Sequence, residues 1–177
     1  IVPLRYPPRV DFQSGEWLRR AFDAGRPRPW RTPNPDVIII LAQVTRVSIA
    51  LVGPPASEIL PAVPTTDLTR AMTEEIGSLL EDLETDTANV LLTIARIWHT
   101  LATHDFASKD DAANWVLAQI GEPVPALELA RQEYLGTVPR GQREGDLWVD
   151  LQAEAKAAAR LLIGRIEGWA KRSYNRG

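Results

Sequence analysis

The segment from Asp86 to Trp115 carries a hydrophobic pattern with the period of an α-helix. Its apolar residues recur at intervals of about three, four and seven positions, which predicts an amphipathic helix over residues 86–104. Small hydrogen-bonding side chains surround one guanidinium on the opposite face, and this composition suits the wall of a polar cleft. The apolar face comprises Val90, Leu91, Ile94, Ile97, Trp98 and Leu101, and the polar face comprises Asn89, Thr93, Arg96, Thr100 and Thr103.

The same periodicity continues along the C-terminal two thirds of the chain. It predicts further helices over residues 67–80, 109–119, 123–135 and 146–170, joined by short connections. Amphipathic helices of this kind pack around a shared apolar core. We therefore expect a mainly α fold, with a helical bundle of four to five helices over residues 62–177.

The N-terminal part of the chain has a mixed pattern. Residues 10–13 alternate as in a strand, and the proline-rich residues 26–35 predict a loop. Residues 36–48 predict a helix, and residues 49–52 predict a short strand that ends before Gly53. Pro61 and Pro64 mark the boundary to the helical part, so we expect an α/β region over residues 1–61.

Composition limits the classes of protein to which the chain can belong. Its 177 residues are 45% hydrophobic and include no cysteine, which excludes a disulfide framework and a thiolate metal site. The longest apolar run, residues 37–42, is too short to span a bilayer, and no signal-peptide pattern precedes Ile1. His99 and His104 do not have HExxH spacing. We expect a cytoplasmic protein without a membrane partner.

Charge is distributed unevenly, although the net charge is only −3. Residues 1–31 hold seven Arg against three acidic residues, but prolines interrupt them and no interleaved aromatics form a stacking platform, so we expect no nucleic acid partner. Residues 67–86 hold seven acidic residues against one Arg. Within them, Asp82 and Asp86 suit a polycationic ligand, because carboxylates form charge-assisted hydrogen bonds to amines and guanidines. The residues alone favour Asp86 as the N-cap of its helix.

Two cations of the helical region are candidates for an anion site. The Arg96 guanidinium is a planar fork that matches phosphate geometry, and Lys109 supplies a compact charge. Lys109 also follows Ser108 at a predicted helix start, where free N–H groups attract anions. The residues alone favour an exposed lysine at position 109. They leave open whether Arg96 binds an anion or pairs with a neighbouring carboxylate.

Five stretches of the sequence deserve comparison with known families: RYPPRVDFQSGEW, SIALVGPPASEILPAVP, TIARIWHTLAT, SKDDAANW and LELARQEYLG. In this order they resemble parts of the aminoglycoside nucleotidyltransferases that adenylylate streptomycin and spectinomycin. The resemblance implies that residues 1–61 are the C-terminal remnant of an α/β nucleotidyltransferase domain and residues 62–177 a helical domain that binds substrate and nucleotide. It further implies ATP and Mg²⁺ as cofactors of the intact enzyme, an aminoglycoside or aminocyclitol as small-molecule partner, and a monomer if the enzyme is intact. We expect neither cofactor to bind tightly to this chain alone.

The resemblance also assigns roles to individual residues. One tryptophan of the family has no counterpart in this sequence, because Gly77 or Leu79 stands at the matching position. From the residues alone, Asp36 is also explained as a helix N-cap and Tyr134 as an ordinary core residue with its hydroxyl at the surface. The resemblance implies nucleotide contacts at Asp36, Arg96, Lys109 and Tyr134, and antibiotic contacts at Trp17, Asp82, Asp86 and Asn89.

The motifs that begin the first domain of this family, a Gly-Ser loop and an Asp-x-Asp pair, are not found in the sequence. Nucleotidyl transfer relies on metal ions to neutralise developing charge. We therefore expect a fragment without the metal-binding half or general base, with no catalytic residue or metal ligand of its own and no activity alone. The alternative is a stand-alone, non-enzymatic helical module that binds a ligand or a partner.

Overall fold

The fold comes from a computed structural model, which describes residues 5–11, 15–25, 32–138 and 147–174. The chain divides into two compact units, Ile1–Glu75 and Ile76–Gly177. Helices dominate the described residues, which confirms the mainly α fold class. No helix among them is long and apolar enough to cross a membrane.

The N-terminal unit consists of short elements. Of the strand predicted over residues 10–13, Val10 is paired, Asp11 lies in a bend, and residues 12–14 lie outside the described residues. The helix predicted over residues 36–48 is confirmed. The elements are β1 (Arg9–Val10), a 3₁₀ turn (Glu16–Leu18), α1 (Arg19–Asp23), β2 (Thr32–Pro33), antiparallel to β1, α2 (Asp36–Val47) and α3 (Ala56–Ile59).

The strand predicted over residues 49–52 is wrong. Residues 48–50 have no regular structure and residues 51–54 form a bend. Ile49, Leu51 and Val52 are 86%, 93% and 95% exposed. Their composition fits a strand, but a strand requires a neighbour to accept and donate its backbone hydrogen bonds. The described residues provide no such neighbour for this segment.

The long helix α4 (Thr65–Glu81) crosses the division between the units. Within the N-terminal unit, the Tyr6 hydroxyl donates a hydrogen bond of 2.5 Å to Glu74. The Arg70 guanidinium lies 4.4 Å from the centre of the Tyr6 ring, within the range of a cation–π contact. These contacts join the first described residues to α4.

The second unit contains a bundle in which α5 (Thr87–Thr103) contacts α6 (Lys109–Ile120), α7 (Pro125–Tyr134) and α8 (Gln152–Tyr174). The predicted apolar face of α5 is confirmed as core, since Val90, Leu91 and Ile94 are at most 1% exposed. Thr100, predicted on the polar face, is only 3% exposed. A helix with neighbours on several sides buries more than one face, so Thr100 does not belong to a cleft wall.

The predicted bundle helices begin and end within about two residues of those observed, except the last helix, which ends at Tyr174, four residues beyond its predicted end at residue 170. That helix was predicted from residue 146 but begins at Gln152, after turns over residues 147–151. Leu147 and Trp148 are buried within these turns. Their side chains extend the apolar stripe beyond the helix, and this explains why the pattern alone placed the helix start too early.

Candidate functional site

Asp86 and Asn89 form a hydrogen-bonded pair at the start of α5. Asp86 occupies the N-cap position, but its side chain accepts no hydrogen bond from the backbone of the first turn. Its Oδ2 instead accepts a bond of 2.7 Å from Nδ2 of Asn89. The capping interpretation of the Asp86 side chain is therefore wrong. Among the described residues its Oδ1 has no partner, and the side chain is exposed and open to a ligand.

Lys109 joins this pair from the first position of α6. Its ammonium group donates a hydrogen bond to Oδ1 of Asn89, so Asn89 connects Lys109 to Asp86. The same ammonium lies 5.8 Å from the centre of the Tyr134 ring at the end of α7. Lys109 is therefore half-buried and held in place, and the interpretation as a free, exposed lysine is wrong.

The surroundings of Lys109 disfavour its charged form. Burial lowers its pKa, and the positive charge of Arg96 lowers the pKa further, while the carboxylate of Asp86 opposes both effects. Two like charges that are close together and partly withdrawn from water favour an anion between or beside them. Arg96 and Lys109 are thus suited to a phosphate group.

Arg96 also fixes the backbone that leads into α6. Its Nε donates a hydrogen bond of 3.1 Å to the carbonyl of Ala107. Ser108 then caps α6, because its Oγ accepts a bond of 3.0 Å from the backbone N–H of Asp111. A guanidinium has five N–H donors, so the Ala107 contact leaves others for a ligand. Lys109 follows directly on this anchored helix start.

A part-buried ion pair holds α6 against α7. The Arg131 guanidinium donates to the Asp110 carboxylate, and the two side chains are 32% and 28% exposed. Asp110 follows Lys109, and Arg131 lies one turn before Tyr134. Tyr134 is 52% exposed, so it is a surface residue and not the core residue that its apolar spacing predicted.

Asp82 is not part of this cluster. It lies in the turn between α4 and α5, where its carbonyl accepts bonds from the backbone N–H groups of Thr85 (3.1 Å) and Asp86 (2.9 Å). Its side chain is exposed, and no hydrogen bond or ion pair of its carboxylate is found among the described residues. Asp82 therefore approaches the cluster through its backbone alone.

The remaining predicted residues, Asp36 and Trp17, belong to the N-terminal unit. Asp36 is the first residue of α2, and its backbone N–H donates to Oδ1 of Asn34 at 3.1 Å, so its interpretation as the N-cap is wrong. The Asp36 side chain instead contacts Glu75. Burial, together with the hydrogen bond and charge of Asp36, raises the pKa of Glu75 to about 7. The backbone of Trp17 lies in the 3₁₀ turn, and its side chain lies outside the described residues.

An open depression lies beside Asp86 and includes residues that the sequence did not predict. Its volume is ≈ 340 Å³, within the range of small-molecule sites. Sequence reasoning missed Glu133 and Trp148, which come from α7 and from the turn before α8. The spacing of apolar residues predicts which residues share one face of a helix. It does not predict which residues of different helices line the same depression. The lining residues are Glu84, Thr85, Asp86, Thr87, Ala88, Glu133 and Trp148.

The floor of the depression is buried and polar at Thr87, which is 3% exposed. Its hydroxyl donates to the carbonyl of Leu83 at 2.7 Å and accepts from Nε2 of Gln152 at 3.2 Å. The other amide atom, Oε1 of Gln152, is buried without a partner among the described residues. Over the same part of the chain, no group of three or more His, Asp or Glu side chains is arranged to hold a metal ion.

Residues 58–165 match the protein family described as "Aminoglycoside adenylyltransferase, C-terminal domain". The chain is 39% identical over 168 residues to a spectinomycin 9-adenylyltransferase of Staphylococcus aureus, covering 94% of this chain and 62% of that protein. It is 34% identical over 168 residues to an aminoglycoside (3'')(9) adenylyltransferase of Klebsiella pneumoniae, covering 93% and 64%. The chain therefore spans less than two thirds of these relatives.

A solved structure has the same fold over nearly the whole chain. It is the crystal structure of a spectinomycin adenyltransferase from Enterococcus faecialis with ATP and spectinomycin. The TM-score is 0.76 and the sequence identity is 28%, covering 94% of this chain and 64% of the other. The similarity therefore includes both units described above.

Proposed function

Because the chain belongs to the family of aminoglycoside adenylyltransferase C-terminal domains, we propose that it supplies a nucleotide-binding and an antibiotic-binding wall of an aminoglycoside O-nucleotidyltransferase. The enzyme would transfer AMP from ATP to a streptomycin- or spectinomycin-type antibiotic and so confer resistance. The names of the relatives support this reaction class and do not favour the non-enzymatic alternative. We also propose a domain boundary near residue 61, close to residue 58, where the family match begins.

The nucleotide side of the proposal rests on two cations and one aromatic ring. Arg96 and Lys109 are close enough for the charge of Arg96 to lower the pKa of Lys109, and a polyphosphate would relieve that repulsion. Lys109 also begins a helix of 12 residues, whose first N–H groups favour an anion. The exposed Tyr134 ring beside Lys109 would contact the nucleotide. For Asp36, in the N-terminal unit, the nucleotide contact is a proposal that rests on the resemblance alone.

The antibiotic side rests on the acidic end of α5. Asp86 has one oxygen occupied by Asn89 and one without a partner among the described residues, so it is ready to accept from an ammonium or guanidinium. We assign Asp82 and Asn89 to the antibiotic as well. Trp17 would add an aromatic surface for a sugar ring or a cation. These four residues come from the resemblance, and their roles remain predictions.

One observation carries the proposal: the line of hydrogen bonds from Lys109 through Asn89 to Asp86. The side-chain amide of Asn89 binds both groups. Its oxygen accepts from Lys109, a cation suited to phosphate, and its nitrogen donates to Asp86, an anion suited to a protonated antibiotic. The two ligands of a nucleotidyl transfer must lie side by side for a hydroxyl to reach a phosphorus atom. Because one amide lies between the two binding groups, ligands bound to them would lie next to each other.

The contribution of these residues is binding, orientation and neutralisation of charge. ATP would supply the AMP group, and the bond from its α-phosphorus to pyrophosphate would break as the bond to the antibiotic oxygen forms. Arg96 and Lys109 would hold the phosphates, while Asp86 and Asn89 orient the antibiotic. We include Mg²⁺ as a cofactor of the reaction, since phosphate transfer relies on metal ions. The expectation that this chain lacks the metal-binding half and is inactive alone stays a prediction.

The test is calorimetric titration of the chain with streptomycin and with spectinomycin, at low and at raised salt. We expect binding that weakens with salt, since exposed ionic contacts are screened. Asp86→Asn should weaken it roughly tenfold, because one charge-assisted hydrogen bond is lost. Glu122→Gln, an exposed carboxylate between α6 and α7, is the matched control. A folded chain that binds neither antibiotic at low salt contradicts the proposal.

A further inference from the structure

The depression beside Asp86 contains a carboxylate to which the proposed function gives no role. Glu133, on α7, lines the depression together with Asp86 and Glu84. Its side chain is half-buried, and it lies directly before Tyr134. Glu133 is therefore a candidate for direct contact with whatever binds beside Asp86.

A buried indole fixes the direction of Glu133. Nε1 of Trp148 donates a hydrogen bond of 2.6 Å to Oε2 of Glu133. Trp148 is only 6% exposed, so the donor is held by packing. A charge-assisted bond of this length is strong and fixes the rotamer of the carboxylate. The contact uses one oxygen of Glu133 and leaves Oε1 without a partner among the described residues.

The neighbouring cations are engaged elsewhere. Lys156 of α8 pairs with Glu84 at 2.5 Å, at the rim of the same depression. Arg131 pairs with Asp110, and Lys109 donates to Asn89. Within the described part of the chain, these pairings leave Glu133 without an ion-pair partner, and Lys109 acts on Asp86 through space without a direct ion pair. Asp86 and Glu133 each accept a hydrogen bond from a neutral N–H donor, of Asn89 and of Trp148 respectively.

We propose that Glu133 determines substrate specificity by binding, together with Asp86, a protonated amine of the aminocyclitol antibiotic, and that Trp148 is a positioning residue for Glu133. The proposal rests on the proposed function, because it adds a second carboxylate to the antibiotic wall. Two carboxylates in one depression repel each other, and a cation between them removes that repulsion. A neutral or anionic ligand would leave the charge of Glu133 uncompensated, so the two carboxylates together select for positive charge.

Two features of the depression support a ligand there and not only a solvated acidic surface. One is its concave form, with walls from the start of α5, the end of α7 and the turn before α8. The other is that a buried tryptophan orients Glu133. This orientation costs side-chain conformational entropy that a solvated glutamate keeps. The lining also includes the buried Thr87, whose hydroxyl is hydrogen-bonded to both Leu83 and Gln152.

The experiment compares Glu133→Gln with Glu128→Gln in calorimetric titrations with spectinomycin and with ATP. Gln at position 133 keeps an acceptor for the Trp148 N–H and removes only the charge. We expect the dissociation constant for spectinomycin to rise roughly tenfold, the loss typical of one charge-assisted hydrogen bond. The affinity for ATP should not change. Glu128, exposed on the same helix and outside the depression, provides the matched control.

Trp148→Phe separates positioning from charge. It removes the N–H donor and keeps an aromatic ring, so Glu133 stays charged but is no longer oriented. We expect weaker spectinomycin binding with the salt dependence of the wild type. Glu133→Gln should instead show a shallower salt dependence, because one ionic contact is missing. Thermal unfolding of each variant checks that the fold is kept, and Glu133→Asp provides a second variant that retains the charge.

The outcomes separate this proposal from the proposed function. If the wild type binds spectinomycin and both Glu133→Gln and Trp148→Phe weaken this binding while Glu128→Gln does not, the inference holds. If the wild type binds and Glu133→Gln binds equally well, the inference is overturned while the proposed function stands. If the folded wild type binds no spectinomycin, both fail.

Discussion

Two apolar segments, one in each unit of the chain, differ in their burial. In the bundle, Leu91 and Ile94 of α5 are both 0% exposed. In the N-terminal unit, Leu51 and Val52 are more than 90% exposed, although Ile38 of the same unit is buried. Helix α5 thus belongs to a packed core that positions polar groups, whereas residues 49–52 keep apolar side chains in contact with water. The candidate site therefore depends on the core around α5.

The largest expected effect is on stability. Leu91→Ala should lower the free energy of unfolding by about 3 kcal/mol, because the substitution leaves a cavity in a packed core. Leu51→Ala in the N-terminal unit should change it by less than about 0.5 kcal/mol, since the side chain is already in water. Urea unfolding followed by circular dichroism measures both. Equal effects would remove the distinction between α5 and residues 49–52.

The next effect is on nucleotide binding. Arg96→Ala should weaken ATP binding by about 2 kcal/mol, the contribution of hydrogen bonds to a charged group. Arg20→Ala, an exposed arginine of the N-terminal unit, should leave it unchanged. Calorimetric titration with ATP compares them. Arg96→Ala with wild-type affinity would show that the bundle cation has only a structural role.

A smaller effect is expected at the start of α6. Ser108→Ala removes the acceptor of the Asp111 N–H and should cost about 1 kcal/mol of stability. Ser78→Ala, at an exposed position of α4, is the control. Chemical denaturation measures the difference. The variant should also weaken ATP binding, because Lys109 is the first residue of α6, and unchanged affinity would separate the cap from the site.

A separate effect concerns the pH dependence of stability and a residue of the N-terminal unit. The pKa of Glu75 is raised to about 7, so between its ordinary value of 4.5 and about 7 the folded state binds more protons than the unfolded state. The contribution of Glu75 to stability is therefore complete below pH 4.5 and is lost as the pH rises through 7. Glu75→Gln should flatten this dependence of the unfolding free energy. Glu81→Gln, an exposed carboxylate of α4, should preserve it.

The sequence predicted the bundle well, because burial on one helix face leaves a periodic signal. It could not predict that Thr100 is buried too, since that depends on α5 having several neighbours. The strand predicted over residues 49–52 failed for the opposite reason: its pattern is local, and pairing requires a partner from elsewhere. Local patterns thus predicted where the helices lie along the chain. They did not predict which other elements each segment contacts.

The site was predictable only in part. The resemblance identified Asp86, Asn89, Lys109 and Tyr134, and the structure brings these four together in one unit. The bond between Asn89 and Lys109 joins residues 20 positions apart on two helices, and helical spacing does not encode it. Glu133, held by Trp148, gave no signal of any kind. Such contacts arise from the packing of one helix against another. The pattern of a single sequence does not predict that packing.

The most direct test of the central claim is a pair of titrations, with ATP and with spectinomycin, on Asn89→Leu. Leucine keeps the size of the side chain and removes both hydrogen bonds, so Lys109 loses its acceptor and Asp86 its donor. The account predicts that this variant binds both ligands more weakly, whereas Arg96→Ala affects ATP alone and Asp86→Asn affects spectinomycin alone. A variant that is folded and retains wild-type affinity for either ligand would contradict the claim that one amide joins the two walls.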